Sequence, residues 1–171
     1  MNVDYHAIRD CLEKVAIQEV FARYALSIDT GDAARFAAVF TQDALWKWET
    51  DDFKIHIKGS QELKELAQVV ARTCPGAQHM TANHVITVRG ETSHAVCELM
   101  VFLSRPEGIY TAMQGLYDVD LRKINGSWLI SELRVKVLNP EICLQGKIGE
   151  YWAGIRDFLL AKVDSADTPG R

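Results

Sequence analysis

Pro75-Gly76 divides the chain into two textures. Upstream of it apolar residues recur every three or four positions. Downstream, four long runs rich in β-branched and aromatic residues follow one another: Gln78–Val88, Ser93–Leu103, Ile109–Lys123 and Trp128–Leu138. Arg89-Gly90-Glu91-Thr92 joins the first pair, and Asn125-Gly126 joins the last pair with the strongest short hairpin signal a sequence offers. Helices followed by a large antiparallel sheet is the α+β pattern, in which helices lie against one face of the sheet. Strands this long coil, so the sheet is expected to curl around the N-terminal helix and enclose a pocket. Ala95–Leu103 is largely apolar on both faces, as such burial requires.

The upstream helices can be read from their stripes. From about Asp4 to Ile28, the residues Ile17, Val20, Phe21, Tyr24, Ala25 and Ile28 form one apolar face, with Glu19, Arg23 and Ser27 opposite. Thr30-Gly31 ends this helix, and Asp32 is placed to cap a short second one carrying Phe36, Val39 and Phe40. Residues 43–48 and 53–57 alternate as a small hairpin. A third helix is expected over Ser60–Thr73, with Leu63, Leu66, Ala67 and Val70 as its stripe and Cys74-Pro75-Gly76 as its stop. A last helix around Ile148–Val163 presents Tyr151, Trp152, Ile155, Phe158 and Leu159 on one side.

With 171 residues the chain suits one domain, over 1–163, followed by a polar tail at 164–171 that reads as unstructured. A net charge of −4 and the lack of any basic block argue against nucleic acid as a partner. No apolar run is long enough to span a bilayer, and the N-terminus has no signal-peptide pattern, so a cytoplasmic protein without membrane contact is expected. Cys11, Cys74, Cys97 and Cys143 are scattered, which suggests four buried free thiols and neither a zinc nor a redox motif. Phosphate-loop, dinucleotide and nucleophile-elbow motifs are absent, and His79 and His84 do not have the spacing of a helical metal pair. No metal and no cofactor are expected.

Asp29 breaks the pattern of its helix. Leu26, Ala25, Ala22 and Phe21 lie three, four, seven and eight residues before it, so the carboxylate interrupts an apolar stripe. In the last turn it also opposes the helix dipole, at a cost of roughly 0.3 to 1 kcal/mol. A buried Asp needs a partner. His6, His56 and His94 read as surface residues, which leaves His79 and His84. His79 opens the first long strand, where its side chain can project over a pocket mouth. His84 shares, by strict alternation, the apolar face of Met80, Ala82, Ile86 and Val88, unless a bulge intervenes. Trp46 and Trp48 share a strand face, suited either to core packing or to substrate stacking. Arg134, between Glu132 and Lys136, reads as part of a solvated or subunit-facing surface.

Residues 16–25 (Ala16-Ile17-Gln18-Glu19-Val20-Phe21-Ala22-Arg23-Tyr24-Ala25), 28–32 (Ile28-Asp29-Thr30-Gly31-Asp32) and 40–46 (Phe40-Thr41-Gln42-Asp43-Ala44-Leu45-Trp46) resemble the opening of SnoaL-like proteins in the nuclear transport factor 2-like superfamily. His79-Met80-Thr81-Ala82-Asn83-His84-Val85, Tyr117-Asp118-Val119-Asp120-Leu121 and Asn125-Gly126-Ser127-Trp128-Leu129-Ile130 look like that family's central strands, so the resemblance covers about residues 8–138. It implies a cone-shaped barrel, with N-terminal helices packed in a strongly curved, mainly antiparallel sheet. The functional pattern is similar to scytalone dehydratase, hexachlorocyclohexane dehydrochlorinase and bile-acid dehydratase, which use an Asp/His pair without metal or cofactor.

Asp29 and His79 match that pair, which implies His79 as base and Asp29 as the residue that orients it. The resemblance also places Tyr24 and Trp46 in the pocket, with Asn83 and Phe102 as further substrate-contacting positions. Phe102 stands where bile-acid dehydratase has an extra strand carboxylate. The implied activity is a lyase or isomerase acting on a small, largely apolar cyclic substrate, by loss of water or halide or by double-bond migration. The competing expectation is a non-catalytic ligand-binding or assembly module, similar to the small subunits of ring-hydroxylating dioxygenases. Because a curled sheet leaves one face uncovered, a homotrimer or homodimer is expected.

Overall fold

In the computed structural model, which describes residues 4–49, 54–138 and 146–163, helix α1 (Tyr5–Thr30) begins where the Asp4 carboxylate accepts the backbone N–H groups of His6 and Ala7. It ends at Gly31, whose left-handed φ of 70° lets its own N–H bond back to the last turn. A Cβ at Gly31 would stand 2.8 Å from the Ala71 Cβ, so conformation and close packing both call for glycine there. Ile17, Val20, Phe21, Tyr24 and Ile28 are buried, as their spacing predicts. Ser27 is buried too, contrary to its expected polar-face position; its hydroxyl donates to the carbonyls of Arg23 and Tyr24 at 2.6 and 3.0 Å, which satisfies it without water.

Asp32 caps α2 (Ala33–Ala38) by accepting the Arg35 N–H at 3.0 Å. Phe40 has already left that helix and opens β1 (Phe40–Glu49), which forms the expected hairpin with β2 (Lys54–Lys58). Helix α3 (Gly59–Thr73) then leads to β3 (Ala77–Arg89), β4 (Thr92–Arg105), β5 (Gly108–Ile124) and β6 (Ser127–Val137). The sheet runs β2-β1-β6-β5-β4-β3, antiparallel throughout except for the parallel β1–β6 pair. The α+β class and the helices packed in a curved sheet are as expected. The curved sheet stays open, with β2 and β3 as its two ends. Its inner face carries Cys97, Leu99 and Val101 from β4, Tyr117 and Val119 from β5, and Leu133 and Val135 from β6, in one core with α1 and α3.

A bulge in β3 decides which histidines face that core. Ala82 pairs with Glu98 and Val85 with Val96, so Asn83 and His84 together oppose one residue, and Asn83 takes a φ of 54°. The extra residue reverses the alternation. His79 and Thr81 face inward before it; His84, Ile86 and Val88 face inward after it. Met80 and Ala82, which strict alternation would group with His84, are exposed on the other face.

On the outer face Arg134 is the half-buried centre of a charge cluster, donating to Asp118, Asp120 and Glu132 at 2.6, 2.8 and 2.7 Å, with Lys47 on Glu132 at 2.6 Å. Cys74 and Cys97 are buried, but Cys11 is exposed on α1, which corrects the expectation of four buried thiols; Cys143 lies outside the described residues. Helix α4 (Gly146–Leu160) packs on α3, with Gly154 seated so close to Thr73 that a Cβ would lie 2.3 Å from its Cγ2. Ile155 and Leu159 are buried on the expected face; the side chains of Tyr151 and Trp152, and the tail at 164–171, lie outside the described residues.

Gly31→Ala is expected to lower stability by roughly 1–3 kcal/mol, from the left-handed backbone and the contact with Ala71. Urea unfolding should register it as a lower midpoint at unchanged slope.

Candidate functional site

Asp29 occupies the last turn of α1, where the helix end meets the start of β3. Its Oδ1 lies 2.6 Å from His79 Nδ1, and its Oδ2 accepts the backbone N–H of His79 at 2.8 Å. The two side chains keep only 15% and 7% of their exposure. With both carboxylate oxygens on one residue, the imidazole cannot swing without breaking a charge-assisted hydrogen bond. The acceptor at Nδ1 selects the tautomer protonated there and leaves the Nε2 lone pair free. This contact explains why an acidic residue interrupts the apolar stripe of α1.

His79 lines a cavity of about 40 Å³, together with Tyr24 and Ile28 of α1, Trp46 and Trp48 of β1, Met113 and Tyr117 of β5, Val135 of β6, Leu66 and Val70 of α3, and Ile155 and Leu159 of α4. That volume holds a few water molecules, whereas sites for drug-sized molecules run to roughly 300–1,000 Å³. Ile155 and Leu159, both buried, are the part of the wall that α4 contributes.

Inside, the hydroxyls of Tyr24 and Tyr117 are 3.2 Å apart. The Tyr24 ring is held among Phe36, Phe40 and Tyr117, with centroids 5.0, 5.9 and 5.4 Å away. Burial pushes the Tyr24 phenol up to about 12, against the Tyr117 hydrogen bond and the nearby Trp46 indole, which act the other way. Burial, and then Tyr24 itself, raise Tyr117 well above the ordinary range. Both phenols are therefore neutral donors at physiological pH.

Of the pocket positions expected from the sequence, Tyr24 and Trp46 line the cavity beside His79. Asn83 does not: it sits exposed in the bulge and donates to Glu98 Oε2 at 2.6 Å. Phe102 does not either, because Val101 and Leu103 take the inward positions of β4 and leave Phe102 half-buried on the outer face. Both expectations are corrected by strand parity. His84 faces inward but packs edge-on against Phe21 at 4.9 Å, lines no part of this cavity, and is held below its usual pKa by burial. His56 and His94 accompany Glu49 and Asp120 at 2.8 and 3.0 Å. Tyr117 was missed; the available signal was a phenol on the Val119 and Leu121 face of β5, since a buried hydroxyl needs a partner. Among the described residues, no three His, Cys, Asp or Glu side chains gather as a metal-ligand cluster, and no helix is long and apolar enough to cross a membrane.

The raised phenols carry a pH signature. The unfolded chain releases such protons near about 10 and the folded chain holds Tyr24's until about 12, so stability is full below the first value and falls as pH rises towards the second. The thermal midpoint should drop over that window, and Tyr24→Phe should make the drop shallower.

Residues 9–134 match the SnoaL-like domain family. No curated protein matches the chain. Among solved structures, it is similar to Rv3472 of Mycobacterium tuberculosis, a protein of unknown function, at 23% identity and a TM-score of 0.82, over 92% of this chain and 95% of that one. It is also similar to a candidate scytalone dehydratase from Novosphingobium aromaticivorans, at 16% identity and a TM-score of 0.65, over 75% and 85% of the two chains. The beta subunit of a candidate aromatic-ring-hydroxylating dioxygenase from the same organism is comparable, at 19% identity and a TM-score of 0.64, over 75% and 90%. At these identities the likeness is one of fold.

Proposed function

The chain belongs to the SnoaL-like domain family, and from that premise we propose that it is a cofactor-independent lyase or isomerase in which His79 takes a proton from a carbon of a small, largely apolar cyclic substrate. The observation that carries this reading is the two-point contact of Asp29 with His79 at the wall of an apolar cavity. His79 is the general base. Asp29 fixes its tautomer and balances the imidazolium that forms, without itself taking the proton. The electron pair left on carbon either expels a leaving group from the neighbouring carbon or moves into a conjugated system, and His79 returns its proton to the leaving group or to a different carbon. A ring compound needs the wall side chains to give way, because a cavity of about 40 Å³ is too small for one.

The test is a panel of cyclic hydroxy-ketones and halides, offered to the wild type, His79→Ala and Asp29→Asn. Loss of the base is expected to lower turnover about 100- to 10,000-fold. Asp29→Asn is expected to fall in a similar range, because an amide nitrogen turned to Nδ1 would favour the wrong tautomer. Full rates in both variants, on a substrate the wild type consumes, would remove the assignment.

A second reading, a non-catalytic assembly module, draws on the small cavity volume and on the likeness to a dioxygenase beta subunit. The two readings differ in their partners. The enzyme reading takes the cytoplasmic protein as a homodimer or homotrimer joined through the outer sheet face, where Val96, Met100 and Phe102 are half-buried beside the Arg134 cluster. Light scattering on the purified chain should then give two or three copies. A monomer that assembles only with a larger iron-containing chain would favour the module instead.

A further inference from the structure

Helix α1 is apolar on two opposite sides, and only one of them meets the core. Tyr5, Ile8, Leu12 and Val15 keep between 47% and 77% of their exposure, and Leu26 keeps 67%. They follow one another at spacings of three and four residues, with Glu19 and Ala22, both exposed, in the two intervening places. At about 100° per residue, this stripe lies directly behind Ile17, Val20, Phe21 and Tyr24, which are buried against the sheet. A stripe of that period is the seam of paired helices. The first three turns of α1 need such support. Among the described residues none before Ile17 is buried, and a polar tie holds this stretch to the sheet, where Glu13 accepts from Lys123 Nζ at 2.6 Å and from Trp128 Nε1 at 2.7 Å. A helix stretch of about twelve residues is marginal in water unless an apolar face of it is packed.

We propose that the stripe pairs two copies of this chain, α1 against α1 and antiparallel, across a twofold axis between Leu12 and Val15. The stripe points away from the sheet, so this contact is independent of the Asp29–His79 site and of the outer sheet face. Antiparallel docking sets Leu12 against the partner's Val15, Tyr5 against the partner's Ala22, and Glu19 beside the partner's Arg9. The largest side chain of the stripe then meets the smallest, its one charge meets a guanidinium, and each contact forms twice by symmetry. Parallel docking would set Tyr5 on Tyr5 and Glu19 on Glu19, with like charges opposed. Both members of the charge pair are available. Arg23 of the same helix donates only to Glu19 Oε1, which leaves Oε2 for the partner. Arg9 stands 4.0 Å from Glu13, a carboxylate that Lys123 and Trp128 already occupy. A lipid surface suits the stripe less well, because three basic side chains over Tyr5–Leu26 are balanced by three acidic ones, whereas helices that lie on lipid are rich in Lys and Arg. The paired stretch, Tyr5–Ala22, is about 27 Å long and about 10 Å wide, which buries less than the roughly 1,200 Å² of a standard interface and makes the pairing reversible.

The experiment is sedimentation velocity on the full chain. Between about 1 µM and about 200 µM, the mass of the species present in dilute solution should double. Leu12→Lys should weaken the doubling more than about tenfold, since it places a charge at the centre of the seam. Arg9→Glu and Glu19→Arg should each weaken it about threefold to tenfold by opposing like charges, and an equimolar mixture of the two should recover it, because every Glu then meets an Arg across the axis. Recovery in the mixture also certifies that both variants are folded. Doubling that Leu12→Lys leaves intact, or a mixture that pairs no better than its components, would overturn the inference. A mass constant with concentration would overturn it too, and co-sedimentation of that chain with phosphatidylserine vesicles would then assign the stripe to a membrane.

Discussion

A carboxylate at the C-terminal end of a helix, set in an apolar stripe, cannot be stable alone, and the arrangement of this protein follows from how Asp29 is satisfied. Its two oxygens reach the backbone and the ring of His79, fifty residues away, so one side chain ties the end of α1 to the start of β3. Removing His79 would leave the Asp29 charge without its partner, which for a buried charge typically costs several kcal/mol. Gly31 and Asp32 stop α1 two and three residues later and start α2, which keeps the carboxylate in the final turn, where it can reach the sheet.

The sheet answers with parity. β3 presents His79 inward, and five residues later the Asn83 bulge turns His84 inward as well, so two histidines separated by an odd number of positions share one face in different surroundings. One meets a carboxylate and a cavity, the other the ring of Phe21. β5 and β1 add Tyr117 and Trp46 to the wall of that cavity. His79, Tyr117 and Trp46 thus come from three separate strands, brought to one cavity by the curvature of one sheet.

Much of this was legible beforehand, for identifiable reasons. The α+β order, the hairpins at 89–92 and 125–126, the Asp32 cap and the exceptional character of Asp29 all rest on local rules. The parallel pairing of β1 with β6 was not legible, since it joins segments some eighty residues apart with no short turn between them. Asn83 and Phe102 were misplaced because a run such as Met80–Val88 hides its bulge, and because β4 is apolar on both faces, so alternation alone cannot say which side is in. Tyr117 looked like an ordinary strand aromatic until its hydroxyl had a neighbour. Ser27 was assigned to the polar face because its bonds to the preceding turn leave no trace in the spacing.

Helix α4 lends the cavity part of its wall. Ile155 and Leu159 are both buried and line it, so the surface any guest would meet is built in part from the last helix described. Were α4 to move on binding, observed affinity would be intrinsic affinity multiplied by the fraction of molecules in which it has moved. Water and small polar solutes cannot replace what those two side chains bury, whereas an apolar ring can. A wall of this kind rewards oily surface over wettable surface, at roughly 25 cal/mol for each Å² buried.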